Sequence, residues 1–411
     1  MITPDTLDAL FERIKNGQTT EADINTLHHW LAVDTERRTL QLGKYNINIG
    51  QGQDIQIGDR IYEGIDADAI KETLRAVLQD NQWQSEKSKQ VLWQYRHTFR
   101  GHSDAINAVV ITSNSKNLIS VSDDKTIRIW NLNPPHLHLI LPKQDEEVTC
   151  VAITPDNKIL ISGDKEGTVK IWDLQTCKVI NTPSRPYKNT KHIHAIAVSP
   201  DSKTIAITSS DKTIQIWSLD PVRLLHTSSR QKAEIKTVLI TSDGKELISG
   251  DKDGTIQIWN LLTGELLESL SKVHDGSINS LALSFDGETL ATGSSDKTIK
   301  IWDLRSRSLR RTFNEEGGSE EEGNTAINAI VFCPDNEILI SGSEGGKFEF
   351  GLKLYRGGTI RVWNFKTEKL LQTRSRAHSS PINSIAISPD GQILATASKG
   401  STIIIWQKAK S

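Results

Sequence analysis

Cysteine is scarce in this chain, and so are long hydrophobic runs. The three cysteines among 411 residues, Cys150, Cys177 and Cys333, are odd in number and far apart, with neither metal-ligand nor disulfide-framework spacing. They are expected as buried or half-buried thiols on strands in a reducing compartment. No apolar stretch reaches the roughly 18 residues that a membrane-crossing helix needs. The N-terminal MITPDTLDALFERIKNG lacks the basic flank and apolar centre of a signal peptide. A cytoplasmic location is therefore expected. Neither sign of charge dominates: Lys and Arg total 49, Asp and Glu 51, and the formal net charge is -2. Nothing in that balance calls for a nucleic-acid or membrane partner. Catalytic motifs are missing too. There is no HExxH, no phosphate-binding loop, no deaminase-like metal signature, and no Ser-His-Asp order outside a repeat. Gly50-Gln51-Gly52 lacks the preceding hydrophobic strand, glycine triad and long helix of a dinucleotide site. No catalytic residue, cofactor or metal is expected.

What the chain does have is repetition. SDDKTIRIWNL, ending at Leu132, returns as KEGTVKIWDL, SDKTIQIWSL, KDGTIQIWNL, SDKTIKIWDL, RGGTIRVWNF and GSTIIIWQK. The register is set by Trp130, Trp172, Trp217, Trp259, Trp302, Trp363 and Trp406; five gaps are 42 to 45 residues and the sixth is 61. Such a period with a Trp-Asp-like ending describes a blade of four short strands, and seven occurrences make a seven-bladed all-β propeller. In the fifth unit INSLALSF gives the inner strand, ETLATGS the second, TIKIWDL the third and SLRRTF the outer one. The last unit stops after Trp406 without an outer strand, while 91–99, VLWQYRHTF, belongs to no complete unit. Residues 91–99 are expected to close the ring as the outer strand of the last blade, within a propeller spanning 91–411.

This part resembles the WD40 repeat family. The resemblance implies a buried tetrad of His, Ser or Thr, Asp and Trp in each blade: His102, Ser120, Asp124 and Trp130 in blade one, and His274, Thr292, Asp296 and Trp302 in blade five. Other blades depart from it. The His position holds Gln144, Asn189, Gln231 and Gly323 in blades two, three, four and six, and only His378 restores it in blade seven. The Asp position is Glu166 in blade two and Gly400 in blade seven. Because these histidines recur with the repeat, they read as structural rather than catalytic.

Residues 1–80 form a separate small α+β module, with 81–90 as a polar linker. Helices are expected near 4–14, where Thr3 caps and Leu7, Leu10, Phe11 and Ile14 share a face, from Thr20, and around 69–77. Between them YNINIGQGQDIQIGDRIY alternates, with Ile47, Ile49, Ile55, Ile57 and Ile61 expected on one face of a hairpin or β-roll-like turn. Residues 3–78, through Gly43-Lys44-Tyr45 and Arg60-Ile61-Tyr62, resemble the effector-associated domains of bacterial signalling and conflict systems, of cyanobacterial type. That resemblance implies an adaptor: an effector protein carrying a like module associates with this one, or the module self-associates, with Ile47, Ile49, Ile55 and Ile57 as the association face.

The long gap holds two insertions, NEEGGSEEEGN at 314–324 and EGGKFEFGLKLYRGG at 344–358. In the WD family both connections emerge on the top rim. The first carries Glu315, Glu316, Glu320, Glu321 and Glu322. The second alternates Phe348, Phe350, Leu352 and Leu354, followed by Tyr355. This apolar run either packs on the propeller or, beside the acidic loop, docks a protein partner on the top face. The expected function is a non-enzymatic sensor or scaffold, whose propeller binds a protein or other macromolecule. The competing expectation is a structural assembly protein. The sequence does not name the ligand, because one propeller surface serves many partners.

Overall fold

The computed structural model describes residues 92–183, 192–314, 325–345 and 357–409 in full, together with the backbone of short strands at 39–42, 45–49, 55–57, 60–62, 347–349 and 352–354. The chain divides into two compact units, Met1–Gln90 and Val91–Ser411.

The second unit is a ring of seven four-stranded antiparallel sheets. Blade five shows the rule: Ile278–Leu283 lines the axis, followed outward by Thr289–Ser294, Thr298–Asp303 and Ser308–Asn314. Its third strand buries Ile299, Ile301 and Trp302 and leaves Lys300 half-buried, as a strand packed on both faces between neighbouring blades demands. The turns suit the sequence: Lys125, Lys212 and Lys297, each between a blade's second and third strands, adopt positive φ.

The ring closes with strands from both ends of the unit. Trp93–Arg100 pairs antiparallel with Thr402–Lys408, from Lys408 opposite Trp93 to Thr402 opposite Arg100. Both ends of this strand are anchored. Trp93 and Phe99 are buried at 2% and 3% exposure. Phe99 stacks on Trp130 of blade one at 4.8 Å, and Gln372 of blade six accepts from the Leu92 and Trp93 amides and donates to the Trp93 carbonyl.

The core is seven apolar layers, one in each seam between neighbouring blades. The layer from blade seven to blade one packs Ile403, Ile405 and Phe99 against Ile106, Val109 and Trp130. Stability is thus spread around a circle of neighbour contacts, the arithmetic of repeat proteins.

In the first unit four strands, Thr39–Leu42, Tyr45–Ile49, Ile55–Ile57 and Arg60–Tyr62, form an antiparallel meander. This is two strands more than a single hairpin, and the expectation missed the first. The register sets Ile47 opposite Ile57 and Ile49 opposite Ile55, so those four share a face. Ile61 does not join them. It lies opposite Gln56, because the turn before it inverts the parity that simple alternation carries forward. The expected helices lie outside the described residues.

Candidate functional site

The tetrads come first, since His, Ser and Asp together invite a catalytic reading. In blade one His102 Nε2 is 2.7 Å from Ser120 Oγ, His102 Nδ1 is 2.7 Å from Asp124 Oδ2, and Trp130 Nε1 donates to Ser120 Oγ at 2.8 Å. Blade five repeats this with Thr292: 2.7 Å to His274, 2.7 Å from His274 to Asp296, and 3.2 Å from Trp302. The assignment that satisfies every group has Nδ1–H donating to the carboxylate and the hydroxyl donating to Nε2 while accepting the indole N–H. Burial raises the Asp124 and Asp296 carboxyls, but hydrogen bonds from His102 and Thr126, and from His274 and Thr298, outweigh it and hold both well below the usual range. His102 and His274 are 6% and 1% exposed, and each hydroxyl is already engaged by an indole. The arrangement pins the second strand, the third strand, the turn between them and the loop before the inner strand together.

Elsewhere the pins are improvised. His378 bonds Thr396 at 2.8 Å and Thr402 at 3.1 Å without a carboxylate, and burial pushes its imidazole down to about 4. In blades two and four the turn is held two residues earlier, by Asp164 accepting from the Thr168 amide and Asp251 from the Thr255 amide. Lys170 and Gln257 donate to Gln144 and Gln231, which occupy the His positions. In blade three Ile207 stands where the hydroxyl belongs, so Trp217 Nε1 turns to Gln215 on its own strand, at 3.2 Å.

A feature not read from the sequence lies on the axis. Every inner strand is bulged at its second residue: Asn107, Thr149, His194, Lys236, Asn279, Asn328 and Asn383. A bulge re-aims its side chain, here toward the next blade. Asn107 Nδ2 donates to the Val148 carbonyl at 2.9 Å, Asn279 to Ile327 at 3.0 Å, Asn328 to Ile382 at 2.9 Å and Asn383 to Ile106 at 3.0 Å; Thr149 Oγ1 donates to Ile193 at 2.7 Å. The signal was the Ile-Asn pair that recurs at 106–107, 278–279, 327–328 and 382–383.

The two ends of the inner strands differ in chemistry. At their N-terminal end a cavity of about 350 Å³ is bordered by Asp123, Glu147, Lys165, His192 and Lys399. At the other end a cavity of about 520 Å³ is walled by aliphatic side chains such as Val110, Ile153, Val198 and Leu283, with Phe285 at 51% exposure on its rim. A mixed-charge mouth suits polar and charged groups of a macromolecule, and the apolar end does not.

The two insertions leave blade six from neighbouring stems: the Glu344 amide donates to the Ala326 carbonyl at 3.2 Å. Gly345 and Gly357 flank the second insertion at φ 59° and 87°, where a Cβ would run into backbone oxygens. Between them Lys347–Glu349 and Leu352–Leu354 pair as a hairpin. The reversal splits the run read as alternating, and the register sets Phe348 opposite Lys353 rather than beside Leu352 or Leu354. At its root Arg361 is 2% exposed, while Arg128 and Lys300 at the same blade position are half-buried. Glu315, Glu316, Glu320, Glu321, Glu322, Phe350 and Tyr355 lie outside the described residues.

Family comparison agrees with this architecture. Residues 1–77 match the model for effector-associated domain 10. Residues 55–302 match the WDR36/Utp21 first beta-propeller, beginning upstream of the first propeller strand, and 317–364 and 368–407 match the WD domain, G-beta repeat. With more than half its length matched by a propeller model and seven blades in a closed ring, the chain belongs to the WD-repeat β-propeller family.

Proposed function

We propose that this protein is a non-enzymatic cytoplasmic adaptor. Its propeller holds a protein partner at the rim around blade six and the adjoining axial mouth, and its N-terminal module recruits an effector carrying a like module. The observation that supports this best is the joining, on one chain, of an effector-associated module with a WD propeller. Propeller polar clusters that resemble catalytic groups are sealed and mutually satisfied, which favours a binding platform over an enzyme. None of the described residues forms a helix long and apolar enough to cross a membrane, and the three cysteines are free thiols. The decisive experiment is capture with full-length protein and with 91–411 alone. The effector should be lost from the shorter chain and the propeller's partner retained. Loss of both, or of neither, would remove the division of labour.

Structural assembly by self-association is the second reading. It is favoured by the sheet face that the register gives Ile47, Ile49, Ile55 and Ile57, on a module of a size that buries little surface alone.

A further inference from the structure

The belt of side chains around the axis is broken at one place. Blades five, six, seven, one and two each send an Asn or Thr to a carbonyl of the next inner strand. Blades three and four carry His194 and Lys236 at the bulge instead. Among the described residues neither reaches the next inner strand's carbonyl. Lys236 Nζ turns back to His194 Nε2 at 3.4 Å and to Glu234 at 2.8 Å. The seam from four to five therefore lacks the axial bond that the other five have, while the seam from three to four is bridged instead by His194 with Lys236.

A second observation concerns the core. Among the described residues the layer between blades four and five has six fully buried members, Ile248, Ile256, Ile258, Ile278, Leu290 and Trp302, with five partly buried leucine and valine side chains packed against them. The other seams contain nine to twelve. Away from the axis this seam is bridged by Arg307, which donates to Glu246 and Glu268 at 2.7 Å each. Those groups are about one-third exposed, so water and salt weaken the link. Blade four also lacks a tetrad histidine, having Gln231 in its place.

We propose that the seam between blades four and five is the opening point of the ring: it gives way locally while the other six seams and the terminal closure hold. In a circular array each blade is kept by its two interfaces, and the cooperative unit bounded by the weakest interfaces opens first. The first and last strands of the propeller meet on the far side, in blade seven, so the ring can breathe at this seam of blade four without undoing its closure.

Native-state hydrogen exchange of the full chain at pH 7, read by mass spectrometry in rising urea, tests this. Amides of 235–240 and 256–260 should exchange about tenfold faster than those of 106–111 and 382–387, the factor that one to two net hydrogen bonds make in an equilibrium. Raising the salt should widen the gap. Lys236→Asn, which places a belt amide opposite the Ile278 carbonyl, should slow blade four several-fold. Asn383→Ala should create a new labile seam between blades seven and one. Uniform exchange around the ring, first opening at the pairing of 93–100 with 402–408, or a blade four indifferent to Lys236→Asn would each overturn the proposal.

Discussion

At the scale of single residues the seven repeats are not equivalent, and the polar pins say where. His274 satisfies Thr292 and Asp296, so His274→Ala strands a buried carboxylate and a hydroxyl. A loss of about 1–3 kcal/mol is expected in denaturant titration. Gln231→Ala in blade four, which removes one acceptor for Gln257, should cost less; equal losses would mean that the tetrad does not act as a unit. Acid acts through different residues in two windows. His378 is held neutral by burial to about 4, and His194 to about 3 by burial, Lys236 and His192. Both lie below the ordinary histidine value of about 6.5. The unfolded chain therefore takes up these protons first. The stability contributed by the neutral imidazoles is complete above about pH 6.5 and drains away as pH falls toward 4. The Asp124 and Asp296 carboxyls, held low, contribute above about pH 3.9 and lose that contribution only at lower pH. The urea midpoint should thus decline in two stages, and His378→Gln should flatten the first. An unchanged first stage in that variant would assign it to other groups.

At the scale of elements, two segments outside the regular repeat carry the most testable weight. The closing strand contributes Trp93 and Phe99 to two different seams and a full ladder to the last blade. Beginning the chain at residue 101 removes all of this and exposes the edge of Thr402–Lys408. The melting temperature should fall by at least about 10 °C relative to a chain beginning at 85, because large buried aromatics cost about 3–5 kcal/mol each when removed. Equal melts would show that the ring closes without this strand. The hairpin of blade six is the second segment. Phe348→Ser with Phe350→Ser should reduce partner capture and leave the melt of the ring unchanged. Unfolding would make the two phenylalanines core residues, and undiminished capture would place the partner elsewhere. Glu315, Glu316, Glu320, Glu321 and Glu322 changed together to Gln should slow association mainly at low salt.

At the scale of the whole molecule, the proposed division of labour assigns partner binding to the ring and effector recruitment to the small module. The ring buries its polar exceptions within each blade, whereas the module presents four isoleucines on one sheet face. Light scattering should find 1–80 associated, with itself or with a like module, and 91–411 monomeric. A monomeric 1–80 that binds no like module would count against both the adaptor and the assembly reading.

The sequence by itself determined the number of blades, the strands of each and the two full tetrads, because these depend on local period and on chemistry that repeats with it. It also placed the insertions of blade six, since a gap of 61 residues among gaps of 42 to 45 is visible without coordinates. Faces across turns were beyond it. Ile61 looked like the partner of Ile57 by parity, and Phe348 like that of Leu352, yet each turn reset the register. Substitutes for missing groups were also beyond it: Gln215 for the absent hydroxyl of blade three, and Asp164, two residues earlier, for the turn carboxylate that Glu166 replaces in blade two. Only the tertiary structure revealed the axial belt and its gap at Lys236. A bulge, not the residue type alone, turns that position toward the neighbouring blade, and the accepting carbonyl lies some 40 to 55 residues along the chain, or across the closure of the ring.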